Sequence, residues 1–550
     1  MAERPSVVII QGTVVGTTDF DLYPIPVQSF LGIPYALAPT GHRRFRPPMK
    51  VSASSDIFDA SKQGPRAPGK PSLLVSDPIE EASEDCLIVN VFRQKPKDKT
   101  TKLPVCIYVH GGAFNRGSSS MHNTASMVGW SELPFIAVSF NYRLGALGFL
   151  PSRLSAREGL LNLGLKDQIL LFEWVRDNIE SFGGNPDDVT LMGFSAGAHS
   201  IGYHMLRSAD QDNTLFHKVI MESGSPTARS IHAYDSPIHE EQFRQYVAEA
   251  GVSSDLPDSQ IFDFLRDQPI HVLTKAQDVV FGHYNASLLW AFQPVIDGDV
   301  IPRHPSKMLQ SDAWRKFPIL TGFNGNEGSL FVDKMASKPE QFTEFFRKLL
   351  PELSQPDMSA LDRLYPDPSS SQNQIYADSR LGLAVGGQYR RLEAAYGHYA
   401  YVAPVRQVAY LAKQSRPRAP PVYLYHWALA SSVVNGASHG NNLNYDAFDR
   451  KICAISSSQK ELSGYVHAYV TSFICTGNPN TATSRFQHRQ QWEEYTIEDP
   501  KVMTFGDKNE ELIGGGTGSL AKMTSDSWGK AECEFWWKIS RSLLEIDSGV

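Results

Sequence analysis

Six short runs of this chain are apolar almost from end to end, and they limit the fold more than any other feature. They are Val105–His110 (VCIYVH), Phe135–Phe140 (FIAVSF), Val189–Phe194 (VTLMGF), Lys218–Met221 (KVIM), Ile319–Thr321 and Val422–His426 (VYLYH). A strand with one wet face alternates apolar and polar residues, whereas a strand covered on both faces does not. Between two of the runs lies Leu165–Phe182, where Ile169, Phe172, Val175, Ile179 and Phe182 recur at helical spacing before Gly183-Gly184-Asn185-Pro186 stops the pattern. Strands alternating with helices predict an α/β fold, a large and mostly parallel sheet with helices on both faces. No composition break marks a boundary, so the expectation is one domain over residues 1–550, with helical cap insertions roughly within 230–400.

Composition narrows the function classes. Among 550 residues, Lys+Arg 52 against Asp+Glu 59 gives a net charge of −7. A mildly acidic chain without a basic patch gives no support to nucleic-acid binding. No apolar run approaches the roughly 20 residues of a membrane helix, and Val7–Ile10 is too short for a signal-peptide core. The cysteines Cys86, Cys106, Cys453, Cys475 and Cys533 are scattered and form no CxxC pair, which argues against a structural zinc site and for free thiols in a reducing compartment. No phosphate-binding glycine motif stands between a strand and a helix, so no metal, nucleotide or other cofactor is expected. No sequence feature sets an oligomeric state.

The chemistry lies at the ends of the strand-like runs. Gly193-Phe194-Ser195-Ala196-Gly197 closes the run Val189–Phe194, and Ala198–Leu206 can continue as a helix. Such a strand-to-helix turn lifts a serine oxygen above the sheet edge, and the flanking glycines let the neighbouring elements approach. The helix that follows directs its N-terminal amides toward the same point. His110-Gly111-Gly112-Ala113-Phe114 ends another run at the same edge, and its glycines leave backbone N–H groups open to a pocket, with the Ala196 N–H as a further donor for an oxyanion. Serine needs a base, and the base needs an orienting carboxylate. His439 lies in the loop Gly436–Gly440 after Val422–His426, and Glu327 lies just past Ile319–Thr321, where an open α/β sheet places functional groups. Spacing alone does not select these two from the other histidines and acids.

A wider set of motifs does select them. Phe30-Leu31-Gly32-Ile33-Pro34-Tyr35-Ala36 with Arg44-Phe45, Ser83-Glu84-Asp85-Cys86-Leu87, Asn141-Tyr142-Arg143-Leu144-Gly145, Gly164–Gln168, Glu222-Ser223-Gly224-Ser225 and Phe292–Gly298 resemble blocks of the type-B carboxylesterase/cholinesterase family of α/β-hydrolases. The resemblance covers nearly the whole chain and implies that fold. By it, Ser195 is the nucleophile, Glu327 the acid and His439 the base, in the chain order expected of the fold. Gly111, Gly112 and Ala196 form the oxyanion hole, and Ser223 is a buried serine supporting the triad. Phe194 and Phe114 contact substrate. Arg44 with Glu84, and Arg143 with Asp167, are structural ion pairs. The implied activity is serine carboxylic-ester hydrolysis of a small-molecule ester through an acyl-Ser195 intermediate. Transfer to another acceptor by an acyltransferase, cyclase or lactonase uses the same triad. An adhesion homologue without catalysis would lack the serine.

The departures from the family pattern carry information. The usual disulfide partner of Cys86 is absent from Gly64–Pro68, which together with the missing leader predicts a cytoplasmic enzyme. Phe194 stands where cholinesterases have glutamate, and no aromatic residue lies between Gly64 and Cys86 to hold a quaternary ammonium. Choline esters are therefore disfavoured, and a neutral, hydrophobic ester is the expected guest. Asn441-Asn442-Leu443-Asn444 replaces a stretch that usually holds an aspartate, a change expected to touch the substrate-side lining.

Overall fold

The computed structural model describes residues 4–547 apart from 75–80, 97–100, 208–213, 229–230, 312–313, 371–373, 379, 381–383, 415–418 and 483–484. All six apolar runs are strands of one 11-stranded sheet. In spatial order it runs Ser519–Ser525, Lys501–Asp507, Val422–Trp427, Ile319–Asn324, Lys218–Glu222, Gly184–Phe194, Leu103–Val109, Ile136–Phe140, Ile88–Gln94, Val27–Pro34 and Thr17–Asp19. Neighbours from Lys501–Asp507 through Ile136–Phe140 pair in parallel. The antiparallel pairs of this sheet lie at its two flanks. A separate 3-stranded sheet joins Ser6–Ile9, Gly12–Val15 and Ile57–Asp59.

The sheet is buried on both faces, which is why its strands lack polar alternation. Val105, Ile107, Val109, Val189 and Leu191 pack on one face against the helices Leu163–Asn178 and Ala196–Arg207. Cys106, Tyr108, Met192 and Phe194 pack on the other against the helix Ser457–Thr476. The predicted helix over 165–182 runs as Leu163–Asn178, tightens into the 3₁₀ turn Ile179–Phe182 and stops at Gly183 with φ +87°. That left-handed conformation costs glycine little, and it ends the helix.

Residues 230–400 are largely helical, with Pro237–Glu249, Asp258–Asp267, Ile270–Asn285, Pro339–Leu349, Gln355–Leu364 and Tyr389–Gly397. They also contribute a central strand, Ile319–Asn324, so the stretch is threaded through the sheet rather than laid on it. The two expected ion pairs are present. Arg143 is forked onto Asp167 with both side chains buried, at 2.6 and 2.8 Å. Arg44 is forked onto Glu84 at 2.6 and 2.7 Å and donates to the carbonyls of Leu265, Arg266 and Gln268, which ties the early chain to the helix Asp258–Asp267. Loss of either partner would leave a buried charge unpaired. Among the described residues, no helix is long and apolar enough to cross a membrane.

Candidate active site

Four chain segments leave the carboxyl edge of the parallel sheet and meet. The strand Gly184–Phe194 gives way at once to the helix Ala196–Arg207, and the single residue between them, Ser195, has φ +55°. A non-glycine residue holds that conformation only where its surroundings enforce it. Here the Ser195 N–H donates to the Glu222 carbonyl on the adjacent strand, and the Ser195 carbonyl accepts from the His199 N–H, both at 2.9 Å. A Cβ at Gly197 would press on the Val109 carbonyl oxygen, so the helix approaches the next strand only because that residue is glycine.

The strand Ile319–Asn324 ends three residues before Glu327, which opens the one-turn 3₁₀ helix Glu327–Leu330. His439 comes from the loop after Val422–Trp427. Ser195 Oγ lies 2.9 Å from His439 Nε2, and His439 Nδ1 lies 2.5 Å from Glu327 Oε2. The carboxylate accepts from Nδ1–H, which leaves Nε2 free to take the serine proton. Glu327 Oε1 accepts from the Asn324 backbone N–H at 2.7 Å. All three side chains belong to residues at most 5% exposed. The imidazole is packed by aromatic rings, with centroids 4.6 Å away at Phe194, 4.5 Å at Tyr401 and 5.2 Å at Phe331.

The histidine loop is held by asparagines, of which Asn324 and Asn326 carry no signal in the sequence and Asn442 shows only as a departure from the family pattern. Asn324 Nδ2 donates to the Ser438 carbonyl at 2.7 Å and to Asn442 Oδ1 at 3.1 Å. Asn326 N–H donates to the Ala437 carbonyl, and the Ala437 N–H donates to Asn326 Oδ1, both at 2.9 Å. Asn326 Nδ2 in turn donates to Glu393 at 2.6 Å. Asn442 Nδ2 reaches Glu222 Oε1 at 3.1 Å. Burial first, and the nearby Asp446 second, raise the Glu222 carboxyl well above the usual carboxylate range. Asn442 therefore sits behind the triad, contrary to the expectation that this departure would touch the substrate side; its amide completes a buried network there. Ser223 is buried in the same region with φ +48°, yet its hydroxyl meets no hydrogen-bond partner among the described residues. Side-chain hydrogen bonds to the histidine loop come from Asn324 and Asn326, and Asn442 links that loop to Glu222.

Ser195 and His439 open onto a cavity of about 400 Å³. Phe194, Leu288, Trp290, Phe331 and Tyr401 form apolar wall around them. Gly112 and Ala113 line the cavity beside the serine, with φ +114° and +53°. Gly111 does not line it, and a Cβ there would meet the Phe194 carbonyl oxygen at 2.6 Å. Of the expected pair, Gly112 borders the cavity, joined by Ala113, while Gly111 lies against Ser195 Cβ behind it. Phe114 does not line this cavity. Its ring packs on Phe149 at 5.1 Å and faces a smaller adjoining cavity of about 90 Å³ that shares Leu288 and Trp290 with the first.

Comparison with known proteins agrees with this geometry. A family model described as the carboxylesterase family matches residues 3–536. The chain is 32% identical to a protein of Gibberella zeae named "Secreted lipase 4", over 96% of this chain and 91% of that one. It is 30% identical to the para-nitrobenzyl esterase of Bacillus subtilis, over 91% and 96%. The crystal structure of Aspergillus niger EstA superposes with a TM-score of 0.81 at 26% identity, covering 98% of each chain. The relatives overturn the cytoplasmic expectation. "Secreted lipase 4", a second lipase of Gibberella zeae and one of Botryotinia fuckeliana are all named as secreted proteins. The fold shows why the cysteine argument failed. Cys86 is buried, and burial pushes its thiol pKa up, so it packs as a small apolar group and its missing partner carries no information about compartment.

Proposed function

This chain belongs to the carboxylesterase family and is a serine carboxylic-ester hydrolase, and from that premise we propose that Ser195, His439 and Glu327 carry out the reaction. The observation that supports this reading is the unbroken series Ser195 Oγ–His439 Nε2 at 2.9 Å and His439 Nδ1–Glu327 Oε2 at 2.5 Å. His439 takes the hydroxyl proton as Ser195 Oγ adds to the ester carbonyl. Glu327 holds the ring in the productive tautomer and stabilises the imidazolium. The amides of Gly112, Ala113 and Ala196 receive the developing oxyanion, each such donor being worth roughly 10²–10³ in rate. His439 then protonates the leaving alkoxide, and water, activated by the same imidazole, releases the acid from acyl-Ser195.

The aromatic and aliphatic wall of the cavity suits an apolar group next to the scissile bond. No acidic side chain lines the cavity among the described residues, which agrees with poor accommodation of choline. We read the chain as one domain, a reading supported by a family match that spans 3–536 without interruption. A panel of chromogenic esters of graded acyl length, assayed with the unmodified enzyme and Ser195→Ala, tests the assignment. Hydrolysis by the first and a loss of about 10⁶-fold in kcat by the second is the expected pattern; comparable turnover by both would refute it.

A further inference from the structure

The cavity that holds Ser195 has a basic wall. Lys70 and Arg116 both line it, their backbones are paired side by side, and both cations lie over one ring, Phe281, at 5.3 and 5.4 Å from its centroid. The two are not equivalent. Lys70 Nζ has a carboxylate partner, Asp278, at 3.0 Å. Among the described residues the Arg116 guanidinium makes no hydrogen bond and no ion pair, and its Nε is buried without a partner; the Phe281 ring and a longer-range field from Asp278 are what it meets there. A partly desolvated guanidinium is ordinarily matched to a planar anion, because its fork of donors is left unsatisfied otherwise. Burial lowers the Arg116 pKa, but a guanidinium does not lose its proton in a protein, so the group is a fixed cation. Its backbone N–H bonds the Gly112 carbonyl at 3.0 Å, which plants it four residues along from the glycine beside the nucleophile.

We propose that Arg116 recognises a carboxylate on the substrate, so that the preferred ester carries an anionic group as well as the apolar group held by the aromatic wall. This rests on the reading of Ser195 as the nucleophile in the same cavity. It also revises the expectation of a neutral guest: the surroundings of the scissile bond are apolar, whereas Lys70, Arg116 and Asp278 together leave the basic wall one net positive charge. Lys70, held by Asp278 and the shared ring, fixes the wall, its own charge matched by that carboxylate. The same charge disfavours choline independently of the lack of an aromatic residue between Gly64 and Cys86.

The test uses two pairs of esters, each pair alike except that one member carries a carboxylate, on the acyl chain in one pair and on the alcohol in the other. The readout is the ratio of kcat/KM for the anionic over the neutral member, measured within each enzyme. In the unmodified protein at least one pair should favour the anion by about tenfold or more, a preference that shrinks between low and high salt. Arg116→Gln should lower that ratio about tenfold or more, and Arg116→Lys should recover only part of it, because the ammonium lacks the planar fork. Lys275→Gln, which removes an exposed cation from the helix that carries Phe281, should leave the ratio in place. Equal kcat/KM within both pairs for the unmodified enzyme overturns the inference without any variant, as does a preference that survives Arg116→Gln. If neither neutral nor anionic esters are cleaved through Ser195, as Ser195→Ala would reveal, it is the triad assignment that fails instead.

Discussion

The nucleophile and the base are held in place by different physics. Ser195 is trapped by the backbone: a strand ends, a helix begins, and the residue between them is tied by main-chain hydrogen bonds to Glu222 and His199. His439 sits in a loop with no regular structure, and what fixes it is side chains, above all Asn324, Asn326 and Asn442. The first arrangement is local in sequence and resists everything short of unfolding. The second joins residues more than a hundred positions apart and can be loosened one hydrogen bond at a time. Catalysis needs both, because a nucleophile with a displaced base keeps its fold and loses its rate.

The largest effect should come from breaking the nucleophile side. Gly197→Val places carbon against the Val109 carbonyl oxygen, and backbone there cannot yield. A cost above about 4 kcal/mol is expected, read as loss of soluble folded protein or a collapsed thermal midpoint. On the base side, Asn324→Leu keeps the volume but removes both amide bonds to the histidine loop. Here kcat should fall about ten- to hundredfold while the far-UV spectrum is retained; a fall in stability as large as that of Gly197→Val would erase the distinction between the two sides.

Acid should weaken both sides together. His110, beside the oxyanion turn, is held at about 4, and His426, on the strand leading to the base loop, at about 3, each chiefly by burial. His239 and His467 at about 4, and His204 and His398 at about 3, behave alike for the same leading reason. These rings are neutral when folded and take up protons near 6.5 when unfolded, so the unfolded state gains as pH falls. The thermal midpoint should therefore drop steadily from about pH 6.5 to about pH 4; a flat profile would contradict the burial of these histidines. The smallest effect concerns specificity. Phe194 packs on the His439 ring, and Phe194→Leu should change kcat/KM only several-fold, about 1 kcal/mol, with the greater part in KM.

What the sequence made legible follows the same division. The turn at Ser195 is written in the five residues Gly193–Gly197, and the strand that feeds it in the overlapping run Val189–Phe194, so both are read directly. The strand begins earlier than its apolar run, at Gly184, because Gly184 pairs with Leu103 across the sheet and that distant contact overrides a local Gly-Asn-Pro stop signal. Glu327 and His439 were located only by family resemblance, since nothing local distinguishes them. Asn324 and Asn326 flank the acid and were unremarkable as letters, and Asn442 showed only as a departure; their meaning exists only when two loops meet. Ala113 was passed over because a glycine pair is the conspicuous signal, although the left-handed backbone of Gly112 and Ala113 sets which residues border the cavity. Arg116 carried no signal in one dimension, because an unpaired guanidinium is recognisable only once its surroundings are known.

The most direct test of the account is covalent. A fluorophosphonate probe, allowed to react to completion and followed by peptide mass mapping, should modify Ser195 alone, with one equivalent per chain and loss of esterase activity in proportion. The rate of modification should fall sharply in His439→Ala. A label on any other residue with activity lost, or full activity remaining after Ser195 is labelled, would contradict the account.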